Sequence, residues 1–240
     1  MTTLCFDFGN TRLKCAVFIN GDFTQEIVLP EASVNAIQQV LTEFKPANTI
    51  LSSVIYHDAE IETLLAAQSK FHKLSATSKL PFTTPVSRPE TIGADRLALI
   101  AAAVHLYPKK HSLVIALGSC ITYNYVNSLH QFLGGSITPG MHMRFKAMND
   151  HTALLPLIEA AHEFPLIGYD TRSNLLSGVI LGVAGEIDRF IDDYSQKFSN
   201  FNVLLTGGDA AFFVPHIKNK IFADPNLIYK GLYAISKHNQ

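Results

Sequence analysis

The chain has 240 residues, 48% of them apolar, with 20 acidic against 19 basic residues and a formal net charge of −1. This is enough apolar chain for one large domain or two small ones with a sizeable core. The near-balance of charge, without a basic run, argues against nucleic acid or an anionic membrane surface as the main partner.

No apolar run approaches the ~20 residues that span a bilayer. The first residues lead directly into a strand carrying Asp7, unlike a secretory signal. Three cysteines without metal-like spacing fit a reducing cytoplasm, and Cys5 and Cys15 read as buried fillers. The ten histidines show no HxH or HxxxH spacing, so a histidine-held metal is not expected.

Residues 3–8, 13–19 and 23–29 read as three short antiparallel strands, with Asn20-Gly21 supplying the positive φ a tight hairpin needs. Val34, Ile37, Val40, Leu41 and Phe44 are spaced for a helix over 32–44. Residues 48–54 read as a buried strand ending in Ser52 and Ser53, 57–69 as a helix and 71–75 as a strand. Three prolines make 80–92 an extended loop, and the Ala- and Leu-rich stretch after it predicts a helix from Ala94 to Tyr107. A second β cluster follows at 112–118, 121–127, 130–134 and 136–138. Helices are expected over 140–150, 152–161 and 170–196, then a strand at 202–206 and a closing helix over 225–238.

The order is three strands, helix, strand, helix, and then the same theme again. That predicts a duplicated α/β unit with its seam near 108–112, hence lobes at 1–111 and 112–240, and a cleft between lobes is a natural ligand site. Overlaying the two halves sets Gly9, Asn10 and Thr11 on Gly118, Ser119 and Cys120. It also sets Asp7 on Ala116, so only one of the two turns follows a carboxylate.

Four motifs carry candidate chemistry. In DFGNT (7–11) a strand delivers Asp7 to a turn where Gly9 lets a ligand approach the backbone. The turn amides of Asn10 and Thr11 and the Thr11 hydroxyl can face phosphate oxygens, Asp7 can hold a hydrated Mg²⁺, and Lys14 can reach as a point charge. The competing reading is an ordinary hairpin with an Asx turn. GADR (93–96) sets Asp95 and Arg96 side by side at a helix start, which fits an acid–base pair or plain capping. GGSITPG (134–140) precedes a helix carrying Arg144 and fits either a ligand-shaped loop or a simple turn. TGGDA (206–210) ends a buried strand on bare backbone, where a nucleotide can lie, or merely turns the chain.

Taken together and in this order, DFGNT, SSV, PETIGADR, LGSCIT, GGSITPG, HTALLP, GYDT, SGVILG and LLTGGDA resemble the type III pantothenate kinases, from residue 3 to about 215. The resemblance implies two duplicated ribonuclease-H-like (actin-like ATPase) lobes with an interlobe cleft. It implies phosphorylation of pantothenate by ATP with Mg²⁺, the first committed step to coenzyme A, in a cytoplasmic homodimer with its substrate pocket at the interface. K⁺ or NH₄⁺ is implied as a further requirement, and neither nucleic acid nor membrane as a partner.

Residue by residue, the resemblance gives Asp95 the role of general base and sets Arg96 on the pantothenate carboxylate, with Gly93 beside it. His151 and Thr171 become substrate contacts supplied across the dimer. Asp7, Gly9, Asn10 and Thr11 form the first phosphate loop; Gly118 and Ser119 form the second, with Thr122 just beyond. Gly207 and Gly208 line the nucleotide. Three positions depart from the family pattern. Ala116 stands where an Asp is usual in the monovalent-cation region, Asn124 replaces a common Asp, and Val86 replaces a Tyr close to pantothenate. These departures keep open a second reading, a catalytically weak or inactive nucleotide-binding or regulatory member of the same family.

Overall fold

The structure, a computed structural model, describes residues 1–85 and 88–239. Strands β1 (Thr2–Phe8), β2 (Leu13–Ile19) and β3 (Asp22–Leu29) form an antiparallel meander. It turns at Asn20 and Gly21, with φ of 54° and 104°, the left-handed region that these two residues tolerate best. Helix α1 (Val34–Phe44) starts at Ser33, whose hydroxyl accepts from the Ala36 amide and so satisfies one orphan donor of the first turn. β4 (Asn48–Ser53) returns parallel to β1; after α2 (Ala59–Gln68), β5 (Lys70–Lys73) lies parallel to β4.

The sheet order is β3-β2-β1-β4-β5. Side chains alternate across a strand. One face of β1, with Leu4, Phe6 and Phe8, joins Cys15, Val17, Ile37, Leu41, Ile61 and Leu65 in a core. The other face carries Thr3, Cys5 and Asp7; α3 (Ala94–Leu106) packs against β4, and α7 (Leu227–His238) against β1 and β4.

The second sheet comprises β6 (His111–Leu117), β7 (Cys120–Val126), β8 (Phe132–Pro139), β9 (Phe201–Thr206) and β10 (Phe222–Ala223), ordered β10-β9-β6-β7-β8. Read from β8, this is the order of the first sheet, and β6, β9 and β10 are parallel as β1, β4 and β5 are. The duplication extends to side-chain parity. Leu113, Ile115 and Leu117 of β6 enter the core under α5 (Thr171–Lys197), as Leu4, Phe6 and Phe8 do in the first sheet. Ala116 therefore occupies on β6 the position and face of Asp7 on β1.

The chain divides into two compact units. One comprises Met1–Lys109, Val126–Gly134 and the chain from Asn226 on; the other comprises Lys110–Tyr125 and Gly135–Pro225. A single cut into 1–111 and 112–240 leaves α7 in the second half, but α7 packs on α3. Gly231 sits so close that a Cβ there would run into the Ala98 carbonyl, so a small residue on α7 and the Ala-rich face of α3 make the helix pair possible.

Other elements differ from expectation for local reasons. Residues 130–134 and 136–138 merge into the single strand β8, because Gly134 and Gly135 adopt φ of 104° and 158° that carry the strand through. No helix forms over 152–161, where Pro156 lacks an amide and biases Leu155 away from helical geometry. The short β10 and α6 (Ala210–Phe213) carry too few residues to register as periodicity.

Candidate active site

In the first unit, Asp7 is the penultimate residue of β1, paired in register with Lys14 on β2 and Ser52 on β4. The Gly9 amide donates to the Arg12 carbonyl at 3.2 Å, closing the turn that carries Asn10 and Thr11 at the surface. Beside this turn a pocket of about 310 Å³ is lined by residues 9–13, Val28, Leu29, Pro30 and Ile55. Burial drives the Asp7 carboxyl from 3.8 up to about 7, and repulsion from Asp95 adds to the rise while Lys14 opposes it. Two carboxylates far apart in sequence are thus close enough to feel each other.

Asp95 is the second residue of α3. The N-cap is Gly93, with no side-chain cap, so Asp95 is not the capping residue. Its carboxylate folds back over Gly93, where an added Cβ would sit 2.5 Å from Oδ1, and it interacts with the Arg96 amide. Burial raises its carboxyl above the usual range, against the pull of Arg96. The Arg96 guanidinium lies over the Phe132 ring, 5.5 Å from its centroid, an arrangement that holds the planar fork in place.

In the second unit three backbone segments converge. The Gly118 amide donates to the Cys120 carbonyl at 3.1 Å, and the Gly140 amide to the Ser119 carbonyl at 3.0 Å. A Cβ at Gly140 would collide with the Gly118 and Ser119 carbonyls. Gly207, with φ of 99°, lies against the Leu117 backbone, and the Asp209 amide donates to the Leu117 carbonyl at 3.2 Å. Gly208 faces open space. Gly118, Ser119, Gly207 and Gly208 are therefore brought together.

Other expected residues lie elsewhere. Thr122 is buried, with its hydroxyl accepting from the Asn124 amide at 3.0 Å. That same Asn124 amide also donates to the Val114 carbonyl at 3.3 Å. Ala116 pairs in register with Thr206. His151 ends α4 (Met141–Asp150) and Thr171 begins α5; both are exposed. Val86 lies outside the described residues. Sequence reasoning gave Ser52 no role beyond ending its strand, and missed Glu26 and Tyr229. Lys14, expected to be free for phosphate, instead pairs with Glu26, its Nζ 3.0 Å from Oε2, and the Tyr229 hydroxyl donates to the same oxygen at 2.6 Å.

The donor set at Asp7 fits a hydrated Mg²⁺. Its carboxylate is short of positive charge, Asp95 adds repulsion, and beside it the buried Ser52 hydroxyl has no partner of full hydrogen-bond geometry. Among the described residues, no three or more of His, Cys, Asp and Glu are placed to bind a metal ion. For a monovalent cation the fit fails at the expected place. Ala116 has no side-chain oxygen, and the Asn124 amide group is spent on internal contacts.

A duplicated five-stranded α/β unit, with a ligand-ready turn at the same strand end in each half, defines the fold shared by actin-like ATPases and sugar kinases. A solved structure from Sinorhizobium meliloti, described as a 2-dehydro-3-deoxygalactonokinase, superposes with a TM-score of 0.60 over 98% of each chain, and at 13% identity this shows the fold alone. A Campylobacter jejuni protein of the Baf family of transcriptional activators superposes with a TM-score of 0.62 at 25% identity, again over 98% of each chain. The family model for type III pantothenate kinase matches residues 3–193. The type III pantothenate kinase of Christiangramia forsetii is 38% identical, covering 99% of this chain and 98% of that one. The chain belongs to the type III pantothenate kinase family.

Proposed function

We propose that this chain transfers the γ-phosphoryl group of ATP to the hydroxyl of pantothenate, giving 4′-phosphopantothenate for coenzyme A synthesis in the cytoplasm. What carries the reading is the Asp95–Arg96 pair at the start of α3, held in the same unit as Asp7 in a chain of this family. Asp95 accepts the proton of the attacking hydroxyl, and burial, which raises its proton affinity, makes it a stronger base than an exposed carboxylate. Arg96 pairs with the substrate carboxylate, and Gly93 leaves room for the Asp95 carboxylate to face the hydroxyl.

Asp7 orients the water shell of Mg²⁺, which when bound neutralises charge on the phosphates. The turn amides of Asn10 and Thr11 and the Ser119 amide face phosphate oxygens, Gly9 and Gly118 let the phosphates approach the backbone, and Gly207 and Gly208 give the nucleotide bare backbone. Thr122 supports the second loop from within through Asn124. As in other phosphoryl transfers, the protein's share is positioning and charge.

The working unit is a homodimer in this reading. The segment after His151 exposes Leu154, Leu157, Leu166, Ile167 and Tyr169, the last three at 77%, 83% and 83%. On α5, Gly178, Gly182 and Gly185 have nothing within 4 Å of an added Cβ, so a partner's backbone can approach closely. This apolar face adjoins His151 and Thr171 in sequence, the residues assigned to substrate across the interface. Light scattering on the eluted protein reads the state directly; a monomer that phosphorylates pantothenate overturns the shared pocket. For K⁺ or NH₄⁺, the chain is read as lacking the carboxylate at Ala116 that would create a strong requirement.

The test is a coupled ATP-consumption assay with pantothenate, with and without K⁺ or NH₄⁺, using Asp95→Asn as control. The variant keeps shape and a side-chain acceptor, and is expected to lose roughly 10²–10⁴ in kcat. Undiminished turnover in the variant removes Asp95 as base. No turnover by the parent in any salt removes the function.

A further inference from the structure

Asp7 and Lys14 face each other directly across β1 and β2. Directly opposed residues have Cβ atoms about 4.5–5.5 Å apart, well within reach of a lysine stem. The nearest-neighbour expectation is a Lys14–Asp7 ion pair, which would leave Asp7 neutralised before any nucleotide arrived. Instead the ammonium group turns the other way, to Glu26 on β3 at 3.0 Å. Glu26 is itself anchored: Tyr229 reaches down from α7 and donates to the oxygen that Lys14 contacts, at 2.6 Å. Burial pushes the Glu26 carboxyl up, but the bonds from Tyr229 and Lys14 outweigh it and keep the group ionised; burial raises the Tyr229 hydroxyl above its usual range, so it stays a donor. Two donors converge on one Glu26 oxygen, and Asp7 on the same face is left without Lys14 as an ion-pair partner.

We propose that Glu26, fixed by Tyr229, is a positioning residue that parks Lys14 away from Asp7 and so keeps the Asp7 carboxylate open to the hydrated Mg²⁺ of the nucleotide. The inference rests on the phosphoryl-transfer reading. It differs from a simple clamp between α7 and β3, because it acts through Lys14 and concerns the metal-bound nucleotide only.

The experiment is calorimetric titration of the full chain with MgADP and, separately, with ADP in chelator, for the parent, Glu26→Gln, Tyr229→Phe, Lys14→Met and the Glu26→Gln/Lys14→Met double variant. Glu26→Gln should weaken MgADP binding about fivefold, the scale of one released ion pair, without weakening metal-free ADP. Tyr229→Phe, which keeps the carboxylate, should show the same pattern to a smaller extent and serves if Glu26→Gln does not fold. The double variant should bind MgADP as Lys14→Met does. Equal binding by parent and Glu26→Gln, equal weakening with and without metal, or a Glu26 effect that persists in the Lys14→Met background each overturns the proposal. A parent that neither binds MgADP nor phosphorylates pantothenate fails the underlying reading instead, and the parent titration separates the two.

Discussion

Asp7→Asn is expected to make the protein more stable at neutral and alkaline pH while lowering its nucleotide affinity and turnover. The carboxyl shifts from 3.8 to about 7 on folding, chiefly through burial and then through Asp95. At about 1.4 kcal/mol per tenfold change in proton affinity, that caps the cost of ionising Asp7 in the native protein at about 4 kcal/mol. Asp7 is only partly buried, so solvent screening brings the expected gain of the variant nearer 1–2 kcal/mol. The sign follows from linkage. Below pH 3.8 the group is protonated folded or unfolded, and the variant gains nothing. Between 3.8 and about 7 the unfolded chain ionises while the native state keeps its proton, so native stability falls as pH rises. Above about 7 both states are ionised and the full gap is reached. Thermal unfolding of parent and variant in a series from pH 4.5 to 8.5, without metal or nucleotide, should show a Tm gap that opens through this window and then levels at roughly 2–8 °C. A gap that is independent of pH, or a variant less stable than the parent at pH 8, refutes the claim that Asp7 is a desolvated, under-compensated anion.

Arg96→Ala should raise the KM for pantothenate about 10–100-fold, the scale of a lost charge-assisted hydrogen bond, and leave the KM for ATP within about twofold. Equal effects on both substrates argue against its pairing with the pantothenate carboxylate. Ala116→Asp places a carboxylate opposite Thr206, at the position that Asp7 occupies in the other half. Turnover by the parent is expected to be nearly indifferent to K⁺, and the variant should acquire a K⁺ or NH₄⁺ response; a variant that ignores both cations means that the surrounding backbone offers no ligands.

The duplication was legible because both halves alternate apolar and polar residues over short strands and turn on glycine at the same place. The strand order and the parity of the side chains came instead from the observed strand pairing. The stretch 152–161 misled for the opposite reason: its apolar spacing imitates a helix, and Pro156 outweighs the spacing. Asp95 was legible as a candidate only through its motif, and its neighbourhood with Asp7 was not, since it depends on how α3 packs on β4, the neighbour of β1. The Lys14–Glu26–Tyr229 cluster left no signal. Glu26 lies diagonal to Lys14 only once the β2–β3 register is known, and Tyr229 arrives from 203 residues away. Placement of α7 on α3 depends on the missing Cβ of Gly231, a feature with no periodicity to reveal it.

The inequality between the two turns has a physical logic. In both halves the parallel neighbour of the strand end carries a buried hydroxyl residue, Ser52 beside Asp7 and Thr206 beside Ala116. Only the first half adds a charge, and around it the chain has built Lys14, Glu26 and Tyr229 to manage that charge. The second half works through backbone packed against backbone at Gly118, Gly140 and Gly207, with no carboxylate at Ala116. A second desolvated anion there would carry a penalty of the kind borne by Asp7, recoverable only when a cation is bound. With Ala116 the second loop carries no buried charge at the position of Asp7. The asymmetry therefore reads as a division of labour. In the proposed reading one half orients a metal and bears the electrostatic cost of doing so; the other presents backbone with no buried charge. On this view Ala116 is compatible with catalysis and incompatible with a strong monovalent-cation requirement, so turnover that is robust and indifferent to K⁺ is the combination the two halves require.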